Sequence, residues 1–267
     1  MSRSVHAPDL IRMKREGRGI VAVTAYDYAS GVTVDRAGVD VVLVGDSLAT
    51  VILGHPTTLP ATMDVMVHHT RAVARGVQRA LVVGDLPFLS CVTVEDAVRN
   101  GGRLMQEGGA GAVKLEGASE LALAAVRALR AQGIPVLGHL GFTPQSVHVF
   151  GGHKVQAKDE EAARRLQQEA SALQEAGVSA VVLELVPDRV AAQVTLNLDI
   201  PTIGIGAGPG CDGQIQVFHD LVGLFTDHVP RHAARYARVQ EVIGDAVARY
   251  ADDVRERRFL AQTEVKA

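Results

Sequence analysis

The sequence predicts an α/β protein, a (β/α)8 TIM barrel with extra N-terminal and C-terminal helices. Short apolar runs of strand length alternate with segments of helical periodicity along 267 residues, a length typical of one such barrel. The turn after the first run, residues 24–28, lacks the glycine-rich fingerprint of open dinucleotide-binding sheets. Polar residues end five successive runs, and a closed barrel brings such ends to one mouth.

The predicted strands are rich in valine, isoleucine, leucine and alanine, which is typical of parallel strands buried on both faces. They lie at residues 20–24, 39–44, 79–83, 111–116, 134–139, 179–185, 200–205 and 215–218. Strands that alternate with helices imply a parallel sheet with right-handed crossovers.

The predicted helices have apolar residues at helical spacing, capping residues at their starts and glycines at several ends. Thr93 resembles the start of a capping box, Ser119 caps the next helix, and Asp159 begins an amphipathic helix. The helices lie at residues 29–38, 63–76, 93–108, 119–133, 159–177 and 188–198. A basic helical segment precedes the first strand. We expect residues 1–267 to form one domain, with a C-terminal helical tail at about 231–267.

The composition argues against several classes of function. The sequence lacks the basic charge and the aromatic residues typical of nucleic-acid-binding proteins: its formal net charge is −3, 4% of its residues are aromatic, and it has no tryptophan. No apolar run approaches the roughly 18 residues of a membrane span, and residues 1–19 are too charged for a signal peptide. Cys91 and Cys211 form neither a disulfide framework nor a zinc motif. We therefore expect a cytoplasmic protein without membrane or nucleic-acid partners.

The fourth predicted strand carries two charges on one face. Side chains alternate across a strand, so Lys114 and Glu116 point one way while Val113 and Leu115 point the other. Buried charges are costly unless they are paired or coordinated. A structural lysine–glutamate pair would explain this strand alone, but other strands end in the same manner.

Six polar side chains are predicted at the barrel mouth, where barrel enzymes perform their chemistry. They are Asp46, Asp85, Lys114, Glu116, His139 and Glu184. Four carboxylates against one lysine give a formal charge of −3 with histidine neutral, which calls for a cation. Asp46, Asp85 and Glu116 are hard oxygen donors, which favours Mg2+ over zinc.

A partly hydrated Mg2+ could chelate a small 2-oxo acid and stabilise the enolate formed when a base removes the adjacent C–H proton. Glu184 is the candidate base because it lies in an apolar run. Each residue also has an ordinary structural explanation. Asp46 could cap a helix, Asp85 could form a turn, Glu184 could neutralise an arginine, and His139 could simply hydrogen-bond its surroundings. Separate explanations account poorly for acids at successive strand ends.

Eight motifs together resemble one family. They are VGDSL (44–48), GHPTTLP (54–60), GDLPF (84–88), VKLEG (113–117), GHLGFTPQS (138–146), GGHKVQ (151–156), LELVP (183–187) and GIGAGPGCDGQ (204–214). In this order they resemble the 3-methyl-2-oxobutanoate hydroxymethyltransferase (ketopantoate hydroxymethyltransferase) family over roughly residues 24–224. The combination is specific, although each motif alone is not.

The resemblance implies transfer of a hydroxymethyl group from 5,10-methylenetetrahydrofolate to 3-methyl-2-oxobutanoate. The product would be 2-dehydropantoate (ketopantoate), formed through a Mg-stabilised enolate in pantothenate biosynthesis, on the route to coenzyme A. The resemblance also implies a (β/α)8 barrel and a homo-oligomer, commonly a decamer of two pentameric rings.

The resemblance also assigns roles to individual residues. Asp46 and Asp85 would bind Mg2+, with Glu116 beside the metal through water. Ser47 and Lys114 would hold the carboxylate and keto end of the substrate, in a substrate-binding set that includes Asp46 and Asp85. Glu184 would accept the proton. Whether His139 supports these residues by contacting them, without touching substrate or metal, stays open. The alternative that a water held by His139 takes the proton also stays open.

Five positions depart from the pattern of the family. Ala49-Thr50 stand where Gly-Met is usual, Cys91 and His153 where tyrosine is common, and Leu185 where cysteine often follows the catalytic glutamate. None of them is a proposed ligand, so they concern the outer pocket and the folate contacts.

Two alternatives compete with this interpretation. The nearer is a Mg-dependent 2-oxo acid C–C lyase of the isocitrate lyase/phosphonomutase type, which typically carries a catalytic cysteine in a mobile loop. The long loop at residues 140–157 contains no cysteine, which argues against it. The other is a non-catalytic barrel, which predicts the loss of at least one charged position, and all are present.

Overall fold

The protein forms a closed barrel of parallel strands in a computed structural model that describes residues 4–224, 230 and 233–259. The strands are β1 (Ile20–Thr24), β2 (Val41–Val44), β3 (Leu81–Asp85), β4 (Ala112–Glu116), β5 (Val136–Gly141), β6 (Ala180–Glu184), β7 (Thr202–Ile205) and β8 (Gly213–Gln216). They pair in chain order, and β8 closes the barrel against β1. The predicted TIM barrel is confirmed.

Helices occupy most of the crossovers between strands, as predicted. They are α1 (Ala7–Arg15), α2 (Tyr28–Arg36), α3 (Leu48–Val51), α4 (Met63–Gly76), α5 (Val94–Gln106), α6 (Glu120–Ala131), α7 (Val147–Phe150), α8 (Glu160–Ala176) and α9 (Asp188–Asn197). Residues 206–212, which join β7 to β8, contain no helix. This one crossover departs from the βα repeat.

Three strands, β3, β5 and β8, are displaced by two residues from their predicted positions. β8 begins at Gly213, before the apolar run that marks a strand in the sequence. A side chain on Gly213 would collide with the backbone O of Ile20, so glycine permits the close approach that closes the barrel. β3 extends to Asp85, which pairs with Lys114 of β4. The predicted polar strand end therefore lies inside the strand.

The starts of three helices follow their predicted caps. Thr93, Ser119 and Asp159 each accept a hydrogen bond from the backbone N–H three residues further on, at 3.0, 3.2 and 2.8 Å. These bonds satisfy N–H groups that have no partner within the helix. At the other end of α8, Gly177 adopts a left-handed conformation with φ of 100°. Local sequence therefore sets where these helices begin and end.

The barrel interior changes from apolar to polar along the strands. Inward-facing residues near the strand starts form one hydrophobic cluster with Leu10 and Met13 of α1, so this helix closes the lower end. Full burial of each such side chain contributes about 1.5–3 kcal/mol. The same inward faces end in the polar residues Asp85, Lys114, Glu116, His139 and Glu184. The fold thus gathers them at the upper mouth.

The chain divides into two compact units, Met1–Val217 and Phe218–Ala267. The second unit contains α10 (Phe218–Val222) and α11 (Val239–Arg255), which lies within the predicted helical tail. Residues 231, 232 and 260–267 of that tail lie outside the described residues. That the whole chain forms one domain stays a prediction. Within the described ranges, no helix is both long and apolar enough to cross a membrane.

Candidate active site

Five of the six side chains predicted at the mouth form one connected set of contacts. Lys114 Nζ lies 2.9 Å from Asp85 Oδ1 and 3.2 Å from His139 Nδ1. His139 Nε2 lies 3.2 Å from Glu184 Oε2, and His139 Nδ1 lies 3.5 Å from Glu116 Oε1. The sequence placed these residues at strand ends, and the structure shows that their side chains meet.

Asp46 joins the set through the loop after β2. Its backbone N–H donates to Asp85 Oδ2 at 3.0 Å. A Cβ on Gly45 would lie 2.8 Å from Ser47 Oγ and 3.5 Å from Asp85 Oδ2, so glycine lets this loop turn close to the acids. The Ser47 hydroxyl is hydrogen-bonded to Tyr26 Oη at 2.8 Å. Ser47 therefore lies beside the acidic cluster, and its hydroxyl is held by Tyr26, which follows β1.

Strand register explains why these groups are close. Asp85 pairs with Lys114 across β3 and β4, and Glu116 pairs with His139 across β4 and β5. Neighbouring strands lie about 4.8 Å apart, so side chains that share a face come within reach of each other. Val113 is buried on the opposite face of β4. The predicted alternation along β4 is confirmed.

Burial makes the charges of the mouth strongly interdependent. Asp46, Asp85, Lys114 and His139 are only 2–4% exposed. Burial, and then the charges of Asp85 and Glu116, raise the pKa of Asp46 well above its usual value. Burial also raises the pKa of Asp85, although Lys114 opposes this effect. Burial would lower the pKa of Lys114, but the surrounding carboxylates outweigh it and raise that pKa. Lys114 therefore remains an ammonium ion.

His139 is held between two carboxylates. Burial and the Lys114 charge lower the pKa of His139, but Glu116 and Glu184 outweigh them and raise it to about 8. The raised pKa favours the imidazolium form, and Nε2 contacts Glu184 Oε2 by distance alone, because Nε2 has no aligned hydrogen-bond partner. The sequence left the role of His139 open, and its contact with Glu184 was not predicted.

The residues present suit a divalent cation. Among the described residues, Asp85 Oδ1 and Glu116 Oε1 are buried without a properly aligned hydrogen-bond donor, so the 2.9 Å contact of Asp85 Oδ1 with Lys114 is an ion pair by distance alone. With His139 protonated, the four carboxylates and two cations sum to a formal charge of −2. A divalent cation would balance this charge and relieve the repulsion at Asp46.

Within the described part of the chain, no three His, Cys, Asp or Glu side chains converge as a complete set of ligands for a metal ion. Mg2+ usually takes one or two carboxylates and completes its shell with water or substrate oxygens. The donor set therefore fits Mg2+ better than a metal that needs a closed protein cage.

Two residues of the site were not predicted. Gln145 follows β5 and donates from its backbone N–H to Glu116 and from its side chain to Asp46. Tyr26 follows β1 and contacts Ser47. The available signal was position, because both residues lie within four residues of strand ends that meet at the mouth, although their contacts depend on the path of each loop.

Solved structures show the same class of fold. Phosphonopyruvate hydrolase, in a complex with oxalate and Mg++, superposes with a TM-score of 0.64 at 14% identity, covering 98% of this chain and 93% of that chain. 2,3-Dimethylmalate lyase, a member of the PEP mutase/isocitrate lyase superfamily, gives 0.58 at 18% identity, covering 98% and 91%. At these identities the likeness concerns the fold alone. Fold and site together define a parallel-barrel enzyme with an acidic centre at its mouth.

Sequence relatives are more specific. The ketopantoate hydroxymethyltransferase family profile matches residues 4–262. The 3-methyl-2-oxobutanoate hydroxymethyltransferase of Acetivibrio thermocellus is 54% identical over 246 residues, covering 92% of this chain and 87% of that protein. Its namesake from Magnetococcus marinus is 54% identical over 260 residues, covering 97% of each chain. The chain belongs to the ketopantoate hydroxymethyltransferase family and is a hydroxymethyltransferase. The lyase alternative has only the fold in its favour.

Proposed function

We propose that this enzyme transfers a hydroxymethyl group from 5,10-methylenetetrahydrofolate, with water, to C3 of 3-methyl-2-oxobutanoate, forming ketopantoate in pantothenate biosynthesis. Membership of the ketopantoate hydroxymethyltransferase family supports the identity of the two substrates. The observation that carries the mechanism is the buried series of contacts from Asp85 through Lys114 and His139 to Glu184. In this series Lys114 offers a fixed positive charge that can bind an anionic keto acid. Glu184, at the other end of the series, offers a carboxylate that can accept a proton.

We assign substrate binding to Lys114 and Ser47, with Asp46 and Asp85 completing the set. Lys114 carries a permanent charge in a buried site, where electrostatic attraction to a carboxylate or keto oxygen is strong. The Ser47 hydroxyl, hydrogen-bonded to Tyr26, can donate to the same end of the substrate. These groups would orient the C3–H bond of the keto acid before reaction.

We assign the metal to Asp46 and Asp85, with Glu116 beside it through water. Mg2+, when bound, would act as a Lewis acid that stabilises negative charge on the keto oxygen. Asp85 Oδ1 and Glu116 Oε1, which are buried without an aligned hydrogen-bond donor, support this assignment. So does the raised pKa of Asp46, which burial and the nearby carboxylates cause and which a cation would reverse.

We assign proton acceptance to Glu184. The proton would move from C3 to a carboxylate oxygen of Glu184. C3 would then bond to the one-carbon unit while the bonds of that unit to the two folate nitrogens break, with water supplying the hydroxyl group and tetrahydrofolate leaving. His139 Nε2 lies 3.2 Å from this carboxylate, close enough to orient it. The backbone also restrains the residue, because the O of Glu184 accepts the N–H of Phe142 at 2.8 Å.

Product formation tests this proposal. Proton NMR of the enzyme with both substrates and Mg2+ should show ketopantoate, and excess EDTA should abolish its formation. The absence of ketopantoate from a folded, metal-loaded enzyme would contradict the proposal. Cleavage of a carbon–carbon bond in a 2-oxo or 2-hydroxy acid would instead favour the lyase alternative.

We further propose a homo-oligomer, a decamer, that works in the cytoplasm. In support of assembly, α11 carries a row of apolar side chains at helical spacing that are 46–68% exposed in the single chain: Val242, Ile243, Val247, Tyr250 and Val254. Such a row usually marks a protein contact. In support of the compartment, Cys91 and Cys211 are free thiols.

A further inference from the structure

Gln145 bridges two acids of the site, Asp46 in the loop after β2 and Glu116 at the end of β4. Its backbone N–H donates to Glu116 Oε2 at 3.1 Å. Its side-chain Nε2 donates to Asp46 Oδ2 at 2.9 Å and to the backbone O of Leu86 at 3.0 Å. Both hydrogens of the amide nitrogen therefore have an acceptor.

The chemistry of an amide suits this position. Gln145 donates without carrying charge, so it restrains Asp46 without supplying the positive charge that a cation would bring. A lysine in the same place would compete with the cation for the carboxylates. Because the hydrogen bond engages only Oδ2 of Asp46, it also fixes the direction in which the other oxygen points.

The backbone around Gln145 is well anchored. The residue lies in a short 3-10 turn, Pro144–Ser146, with two residues between the turn and the end of β5 at Gly141. Proline fixes φ at the start of the turn. Just before the turn, Phe142 is fully buried and its N–H donates to the backbone O of Glu184 at 2.8 Å. The amide is therefore presented from a fixed stretch of chain, which is what accurate positioning requires.

We propose that Gln145 is a positioning residue that holds the carboxylates of Asp46 and Glu116 in the arrangement that binds a divalent cation. The inference rests on the metal site of the proposed function and adds to it a residue from the loop after β5. Partners that orient metal ligands in this way typically contribute 10–100-fold in metal affinity.

The direct test is Mn2+ binding to the full-length, metal-free protein without substrate, followed by electron paramagnetic resonance. Mn2+ takes the same oxygen donors as Mg2+. We expect Gln145→Met, which keeps the side-chain length and the backbone N–H that binds Glu116 but removes the amide donors to Asp46 and Leu86, to raise the Kd for Mn2+ by about 10–100-fold. Gln145→Asn keeps the amide but shortens its reach, and it should weaken binding in the same direction. It serves as the test variant if Gln145→Met does not fold.

Gln156→Met is a matched control. Gln156 lies in the same loop, and its side chain donates only to the backbone O of Lys154, at 2.9 Å. This variant should bind Mn2+ like the wild type. A second readout is activation by Mg2+, for which Gln145→Met should need about tenfold more metal yet recover most of the wild-type kcat at saturation.

The outcomes separate the two proposals. If the wild type binds Mn2+ and the Gln145 variants bind it as tightly or more tightly, the role of Gln145 is refuted and the metal site stands. A kcat that stays low at saturating Mg2+, with Mn2+ binding unchanged, also refutes positioning of the metal ligands. If the wild type itself does not bind Mn2+, the proposed metal site fails first, and the role of Gln145 fails with it.

Discussion

Glu184 and His139 lie on the neighbouring strands β6 and β5, with a carboxylate oxygen 3.2 Å from an imidazole nitrogen. We expect Glu184→Gln to lower kcat for ketopantoate formation by about 10²–10⁴-fold, because an amide cannot accept the C3 proton. The Kd for Mn2+ should change little. A steady-state assay with Mg2+ measures the effect, and Glu161→Gln, at an exposed acid of α8, is the control. A kcat within twofold of the wild type would remove Glu184 from the chemistry.

Asp85 has a structural role as well as a proposed role at the metal. Its carboxylate pairs with Lys114, whose side chain is only 5% exposed. From the sequence alone we expect Asp85→Ala to abolish Mg2+-dependent turnover and leave the fold intact. The buried pair changes the second part of this prediction, because loss of one partner strands a charge at a cost of about 3–5 kcal/mol.

A double-mutant cycle separates the two roles. Asp85→Ala should destabilise the metal-free protein in urea unfolding, and adding Lys114→Met should recover part of the loss because it removes the buried ammonium that lost its nearest carboxylate. All of these variants should lack Mg2+-dependent turnover. Additive destabilisation by the two substitutions would show that the ion pair does not couple them.

Among the structural elements, Asp35 near the end of α2 secures the entry to β3. Its carboxylate accepts the backbone N–H groups of Gln78, Arg79 and Ala80 at 3.0, 3.1 and 2.8 Å. Burial raises the pKa of Asp35, but these hydrogen bonds outweigh it and lower the pKa below its usual value. The carboxylate therefore contributes stability above the unfolded-state pKa, about 3.9, and this contribution is lost as the pH falls through the lower folded-state pKa.

We expect Asp35→Ala to lower the free energy of unfolding by about 1–2 kcal/mol at pH 7. The difference from the wild type should shrink below about pH 4. Urea unfolding at a series of pH values measures it, with Asp199→Ala, at an exposed aspartate, as the control. A difference that stays constant down to pH 3 would contradict a role for the ionised carboxylate.

The elements also show what sequence can predict. The alternation of Lys114 with Val113 follows from strand geometry, and the caps Thr93 and Ser119 follow from the hydrogen-bonding needs of helix ends, so local pattern was sufficient. The predicted position of β8 was wrong by two residues because its first residue is Gly213. Glycine is needed there by the close approach to the backbone of β1, and it adds nothing to the apolar pattern that marks a strand. A glycine of this kind becomes informative only when its neighbour in space is known.

The same limit applies to the site. Acids at the ends of parallel strands predict a common mouth, because topology brings those ends together. The contacts of Gln145 and of Tyr26 depend on the path of loops between strands, and no local pattern encodes that path. The ion pair of Asp85 with Lys114 needs the register of β3 against β4, which the sequence does not reveal.

At the scale of the whole molecule, the exposed apolar row on α11 tests the proposed assembly. We expect the wild type to have about ten times the mass of one chain by light scattering after size exclusion, if the row is buried between copies. Ile243→Asp with Val247→Asp should yield smaller species, because charges would enter a buried contact. Arg249→Gln on the same helix is the control. An unchanged mass in the double variant would exclude this row from the interface.

The central claim is that the mouth of the barrel removes the C3 proton of a 2-oxo acid with the help of a divalent cation. Proton NMR of 3-methyl-2-oxobutanoate in deuterated buffer, with enzyme, Mg2+ and tetrahydrofolate, follows this step without the one-carbon unit. We predict loss of the C3–H signal that stops when the metal is chelated and that Glu184→Gln abolishes. A C3–H signal that persists with folded, metal-loaded enzyme would contradict the account.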